Sequence, residues 1–300
     1  MVCFALLRKL IGGQGLSALQ INSGTVLGRI IEARREEVAR RQKIVPETVL
    51  RMAVKKAEPV RDFAAALLRR DTNNDAGRDA NGGTGRDTCN VIAELKKASP
   101  SAGLLRASFD PAGLARGFEQ AGACALSVLT EEEFFQGALA YMRDARGATS
   151  LPVLRKDFIV DPWQVWEARA ANADSFLLIV AALEPAALAE LLALGRELGM
   201  EPLMEVHTAE ELSVALAAGA RIVGVNNRDL YTLEVRVETS LELIAAIPEE
   251  CIAVSESGLR SADDLERLHR AGFDAFLIGE HLMREADPAA ALRRLLFHRP

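Results

Sequence analysis

A single closed (β/α)8 barrel of the α/β class, with an N-terminal helical extension, is predicted by three features of the 300-residue sequence. First, from residue 91 onward short aliphatic runs alternate with longer amphipathic segments, eight times in series. Second, most of these runs lack polar alternation, as expected of parallel strands buried on both faces. Third, no G-x-G-x-x-G follows the first run, which removes the main support for the alternative, a doubly wound dinucleotide-binding sheet. One barrel of this type occupies about 250 residues, so the length does not force a second domain.

The strand runs fall at 91–95, 124–129, 152–155, 176–180, 201–205, 222–225, 251–255 and 275–278. Helix starts sit between them. Asp110-Pro111, Asp161-Pro162 and Asp287-Pro288 each place a capping acid before a proline suited to the first helical turn. Thr208 with Glu211, and Ser261 with Asp264, have the spacing of a capping box. Gly122, Gly147, Gly199, Gly219 and Gly272 stand where a left-handed residue would end a helix. Leu188, Leu191, Leu192 and Leu198 form one stripe at helical spacing, which reads as a face packed on the barrel.

Two stretches lie outside the repeat. Residues 25–42 read as a highly charged helix with Ile30, Ile31 and Val38 as its apolar seam, an added helix lying on the barrel. Residues 71–90 are dense in Asp, Asn, Gly and Thr and read as a disordered surface insertion. The chain is therefore divided into an extension over 1–24 and a barrel with N-terminal helices over 25–300. The extension opens MVCFALLRKLIGG, read as a short surface helix, with a signal peptide as the alternative.

Composition narrows the function. Apolar residues make up 49% and aromatics 5% of the chain, favouring helices on aliphatic strands over an all-β sandwich. A net charge of -6 argues against a nucleic-acid partner but leaves room for one small phosphate ester held locally. Cys3, Cys89, Cys124 and Cys251 show no C-x-x-C spacing, which points to free thiols in a reducing cytoplasm and to no metal site. No apolar run reaches the roughly 18 residues that span a bilayer.

In such a barrel the active site lies at the carboxyl ends of the strands. There the sequence interrupts apolar runs with charge. Glu94 and Lys96, two apart, share a face of the first strand. The third run leads into Lys156, the fifth ends in Glu205, and the sixth leads into Asn226 with Arg228 just beyond. Singly, each could be a structural ion pair or a solvated strand end. Together they would crowd one mouth, and buried charge is costly unless partners compensate, so a proton-transfer site is the better reading. Ser257-Gly258 after the seventh strand and Gly279-Glu280 after the eighth are small-residue turns at the positions where barrel enzymes seat a phosphate.

AELKKASPSAG, ALSVLTEEEFFQG, LPVLRKDFIVDPWQV, GMEPLMEVHT, VGVNNRDL, VSESGL and FLIGEHLM resemble, in order, the strand-end motifs of the indole-3-glycerol phosphate synthase family. The resemblance spans residues 25–296 apart from the insertion. It implies decarboxylating closure of a phosphorylated carboxyphenylamino sugar to indole-3-glycerol phosphate, with no redox cofactor and no metal. It further implies that Lys156 protonates the substrate carbonyl, that Glu205 faces it as an acid/base group, and that Glu94 and Lys96 serve the later proton transfers and the dehydration. Lys96 would also orient the substrate carboxylate or phosphate. Asn226 and Arg228 would position the substrate, and Ser99, Ser257, Gly258, Gly279 and Glu280 would lie on the phosphate side. Phe135 and Phe158 would grip the anthranilate ring. Ala102 departs from the family pattern, which commonly carries lysine there.

Two other readings compete. Phosphoribosylanthranilate isomerase shares the fold but would need a Cys/Asp pair at the ends of strands one and five, and none stands there. A catalytically silent barrel that binds a phosphate ligand has no need to keep both Lys156 and Glu205. The expected partner is thus a small phosphorylated substrate, with no nucleic acid and no membrane, and the expected state is a monomer or weak homodimer.

Overall fold

The computed structural model describes residues 24–68 and 89–297; the expectations for the extension before Gly24 and for residues 71–88 of the insertion lie outside them. Among the described residues, three helices precede the barrel: α1 (Val26–Ile44), α2 (Glu47–Val54) and α3 (Phe63–Leu67). The barrel strands are β1 (Asn90–Leu95), β2 (Ala125–Leu129), β3 (Val153–Lys156), β4 (Ser175–Ile179), β5 (Leu203–Val206), β6 (Ile222–Asn226), β7 (Ile252–Glu256) and β8 (Ala275–Ile278). Between and after them run α4 (Pro111–Gln120), α5 (Leu139–Ala148), α6 (Pro162–Ala170), α7 (Pro185–Glu197), α8 (Ala209–Ala218), α9 (Glu238–Leu243), α10 (Ala262–Ala271), α11 (Glu280–Arg284) and α12 (Pro288–Phe297). Each strand pairs in parallel with its sequence neighbour, and β1 closes the ring against β8 with Asn90 opposite Ala275 and Ala93 opposite Ile278. The predicted fold class is the observed one.

Local chemistry sets the helix ends. Asp110 accepts from the Gly113 amide, Asp161 from Trp163, Asp287 from Ala290 and Thr208 from Glu211, so each predicted cap fills an otherwise orphaned N–H. Ser261 and Asp264 make a full capping box at α10. Gly219 and Gly272 end α8 and α10 in the left-handed region, at φ 94° and 117°. Gly147 does not behave as expected: α5 runs through it to Ala148 and ends at an extended Thr149, so no left-handed residue is needed there. Asn90, counted with the insertion in the sequence, opens β1, where its side-chain amide donates to the carbonyls of Leu67 and Asp274.

Uniformly apolar strands conceal a two-sided pattern. One set of residues, including Val91, Ala93, Val153, Leu178, Val223 and Phe276, packs outward against the helices. The alternate set, including Ile92, Ala125, Leu154, Leu203, Ile222, Val254 and Leu277, fills the barrel interior together with Leu27 and Ile30 of α1. Continuing the interior rows by twos toward the carboxyl ends reaches Glu94 on β1, Lys156 on β3, Glu205 on β5, Asn226 on β6 and Glu256 on β7. The interior thus changes from aliphatic to ionic in one step at the top of the barrel. Among the described residues, no helix is long and apolar enough to cross a membrane.

Candidate active site

A cavity of about 540 Å³ opens at the carboxyl end of the strands. All of the residues singled out in the sequence line it: Glu94, Lys96, Ser99, Phe135, Lys156, Phe158, Glu205, Asn226, Arg228, Ser257, Gly258, Gly279 and Glu280. Val26, Leu27 and Ile30 bring the start of α1 into the same wall.

Lys156 sits at the centre. Its Nζ donates to Glu205 Oε2 at 2.8 Å and to Glu256 Oε2 at 2.9 Å. On β1, Lys96 Nζ donates to Glu94 Oε1 at 2.7 Å, and Ser127 of β2 donates to the other oxygen of Glu94. Burial opposes the charge of Lys156, yet Glu205, Glu256 and Glu94 outweigh it and lift the ammonium above the ordinary lysine range. Burial likewise opposes ionisation of Glu205 and Glu94, but Lys156 and its neighbours hold both carboxyls below the usual value. Glu256 differs. Burial, only partly offset by Lys156 and reinforced by repulsion from Glu205, pushes its carboxyl up to about 7. Two carboxylates on one buried ammonium cannot both be equally satisfied, and Glu256 is the one that takes the proton near neutral pH.

Glu256 was not singled out in the sequence. Its signal was present in SES, a carboxylate at the end of an apolar run, but the expected strand stopped at residue 255. The observed strand continues to Glu256. Like Lys156 and Asn226, Glu256 stands one residue past the expected strand end and belongs to the barrel interior.

Glycines make room for these carboxylates. A Cβ on Gly224 would lie 2.1 Å from Glu256 Oε1, and one on Gly279 would lie 2.3 Å from Glu94 Oε1. The side chains fit only because the neighbouring strand, or its end, carries no Cβ.

The loops after β7 and β8 add small residues, Ser257, Gly258 and Gly279, to the cavity lining. Ser257 has φ 66° and Gly258 φ 81°. The Ser257 carbonyl accepts from Asn227 Nδ2 at 3.1 Å, which fixes the turn. Arg228, Arg260 and Arg284 line this side, a local positive edge on an acidic chain. Part of that charge is already met, since Glu280 accepts from Arg228 at 3.1 Å and also from Arg284 at 3.1 Å. Asn226 Oδ1 accepts from the Arg228 amide at 3.0 Å, and Arg228 donates on to the Leu233 carbonyl. Ser99 Oγ takes the Ala102 amide at 3.2 Å, closing the first loop. Phe135 and Phe158 line the cavity and pack on each other, with ring centroids 6.0 Å apart and planes tilted by 40°.

A parallel barrel with lysines, glutamates and an arginine-edged phosphate-type wall at one mouth belongs to the class of barrel enzymes that act on small phosphorylated substrates. Comparison with known proteins narrows the class. A family model described as indole-3-glycerol phosphate synthase matches residues 27–295. The chain is similar to the indole-3-glycerol phosphate synthase of Laribacter hongkongensis (strain HLHK9), 47% identical over 271 residues, covering 90% of this chain and 98% of that one. It is 45% identical to that of Aromatoleum aromaticum (strain DSM 19018 / LMG 30748 / EbN1) over 270 residues, with 90% and 98% covered. Among solved structures, thiamine phosphate pyrophosphorylase from Pyrococcus furiosus matches with a TM-score of 0.52 at 16% identity, over 69% of this chain and 93% of that one, a likeness of fold alone. The chain belongs to the indole-3-glycerol phosphate synthase family. Its activity is accordingly that of a carbon–carbon lyase of the carboxy-lyase kind, in tryptophan biosynthesis.

Proposed function

We propose that this cavity closes 1-(2-carboxyphenylamino)-1-deoxyribulose 5-phosphate to indole-3-glycerol phosphate, with Lys156 as the acid at the reacting carbonyl. The observation that carries the reading is Lys156 Nζ held between two buried carboxylates at 2.8 and 2.9 Å, in a cavity that Phe135, Phe158, Ser257, Gly258 and Gly279 also line.

The chemistry divides into three stages. In the first, the ring carbon bearing the carboxylate bonds to the sugar carbonyl carbon, and the carbonyl oxygen takes a proton to become a hydroxyl. Lys156 supplies that proton. An ammonium lifted above its usual range is a weak acid, but Glu256 lies 2.9 Å away with its carboxyl pushed up to about 7, so it can pass a proton to Nζ as the first one leaves. Glu205, ionised, holds the ammonium in place and stabilises the developing cation. In the second stage the bond to the carboxyl carbon breaks, carbon dioxide leaves, and the electron pair restores the aromatic ring. Phe135 and Phe158 exclude water from that step. In the third the hydroxyl departs as water while a proton is lost from the neighbouring carbon. Glu94, with Lys96 and Ser127 on its oxygens, is set for this exchange. Lys96 and Asn226 orient the substrate, as does Arg228, and Ser99, Ser257, Gly258, Gly279 and Glu280 receive the phosphate through backbone N–H groups and small side chains.

The enzyme is read as working in the cytoplasm, without nucleic acid or membrane, as a monomer or weak homodimer. The acidic net charge supports the absence of a nucleic-acid partner, and the absence of any C-x-x-C spacing among the four cysteines supports a reducing compartment.

The test is direct. Purified protein given the carboxyphenylamino substrate is expected to develop indole fluorescence, and Lys156→Met to abolish it while affinity for a phosphate ligand persists. Wild-type silence would favour a barrel that only binds.

A further inference from the structure

His207 lies just past the end of β5, two residues beyond Glu205, and stands behind the cavity wall. Its Nδ1 is 3.0 Å from Glu211 Oε2 on α8, and the same oxygen accepts the His207 backbone N–H at 2.7 Å. Its Nε2 is 3.5 Å from Glu205 Oε1 and is buried without a hydrogen-bond partner. Lys156 occupies the other oxygen, Glu205 Oε2. Glu205 therefore meets three nitrogen groups: Lys156 on Oε2, the His207 ring near Oε1, and the side-chain amide of Asn226. Glu256 has only one, because its Oε2 takes Lys156 while its Oε1 is buried, unpartnered and pressed against Gly224.

That asymmetry has a use. One ammonium shared by two buried carboxylates leaves open which of them keeps the negative charge, and the remaining contacts of each decide it. We propose that His207 is a positioning residue that, tethered by Glu211, keeps the negative charge of the pair on Glu205 and leaves the exchangeable proton to Glu256. The proposal rests on the reading that Lys156 and Glu205 work at the reacting carbonyl. Glu211 engages Nδ1, so the opposite nitrogen is the one aimed at Glu205.

The charged groups around the imidazole are Glu205 from β5, Glu211 from α8, Glu256 from β7 and Asp229 from the loop after β6, with Lys156 beyond Glu205. Burial alone would favour a neutral ring, but the hydrogen bond to Glu211 and the charges of Glu205, Glu211 and Glu256 raise it above the ordinary histidine value. Protonated, it sets a second positive charge against Glu205.

The experiment is the pH dependence of kcat, which reports groups in the substrate complex. Removing a cation from beside Glu205 makes it titrate higher. The acid limb in His207→Gln is therefore expected to move up by about one pH unit or more, with KM little changed. An acid limb at the wild-type position, with activity merely lowered at every pH, would reduce His207 to packing and overturn the proposal. Should His207→Gln not fold, Glu211→Gln decides: it frees the ring but keeps it, and its limb is expected to move in the same direction. A limb that stays put there overturns the idea equally. Lys156→Met run beside them separates the two readings. Wild-type turnover in that variant would sink the site assignment, whereas its inactivity with an unmoved limb in the histidine variant sinks this inference alone.

Discussion

Gly224 lies diagonally across the β6–β7 pair from Glu256, and the absence of one methyl group there decides where the carboxylate can sit. Glu256 reaches Lys156 with Oε2 while Oε1 occupies the space a Cβ on Gly224 would claim. In Gly224→Ala the carboxylate must swing away, and the bond to Lys156 goes with it. Misplacement of a catalytic contact by about 1 Å costs about 10²-fold, so kcat is expected to fall by about that factor while the melting temperature changes little. Steady-state kinetics beside a thermal melt checks it; full activity in the alanine variant would mean the placement of Glu256 is immaterial. At this scale Lys156, Glu205, Glu94 and Lys96 were legible because a charge at the end of an aliphatic run breaks the pattern visibly. Glu256 was hidden by the Ser257-Gly258 turn that follows it, which drew the reading of this strand end toward a phosphate loop. Of the ion partners of Lys156, Glu205 was expected at the same mouth but Glu256 was not, and their shared contact was hidden because register between strands distant in sequence is set by closure of the ring. His207 was in plain view within EVHT, yet nothing in the sequence says that α8 would turn Glu211 back onto it.

Helix α1 is tied to the catalytic strand through the residue next to Lys156. Arg34 donates to Asp157 Oδ2 at 2.6 Å, and Arg155 donates to the same oxygen at 2.9 Å, all three side chains being buried. Asp157 also accepts from Thr130. Strand alternation explains the division of labour: Lys156 turns into the barrel, so Asp157 and Arg155 turn out of it, toward α1 and α6. The same helix carries Leu27 and Ile30 into the cavity. In Asp157→Ala two guanidiniums remain buried with their shared carboxylate gone. Breaking a buried pair in this way costs about 3–5 kcal/mol, so the urea midpoint should drop. KM should rise more than kcat falls, because the loosened element supplies substrate wall and no proton. An unchanged urea midpoint would rule out this linkage. The apolar seam of α1 was readable from Ile30, Ile31 and Val38, which are all buried. The docking pair was not, because Arg34 stands in an Arg- and Glu-rich stretch that reads as a solvated face.

Across the whole barrel, the two ends of the strands do different work. The eightfold alternation made the ring itself legible, but it did not show that the amino-terminal end is held by ions as well. There Arg146 donates to Asp174 through Nε at 2.8 Å and through a terminal nitrogen at 3.2 Å, and reaches Glu58 and the Pro59 carbonyl. Asp174 in turn accepts the Val153 amide at 2.9 Å, pinning the first residue of β3. Lys156 is three residues further along that strand, about 10 Å away by the rise of a β-strand. One short strand therefore carries a structural clasp at its start and the proposed acid at its end. If barrel enzymes separate stability from chemistry along the strand axis, the two should be separable here by single substitutions. Arg146→Leu strips the clasp and leaves Asp174 buried without its cation, a loss of about 3 kcal/mol or more, so the melting temperature should fall clearly. Below that temperature kcat and KM should stay at wild-type values, because β3 remains pinned at its upper end by the pairing of Lys156 with Leu129. Folded Arg146→Leu with a depressed kcat would show that the clasp reaches the mouth of the barrel, and that the two ends are mechanically coupled through those few residues.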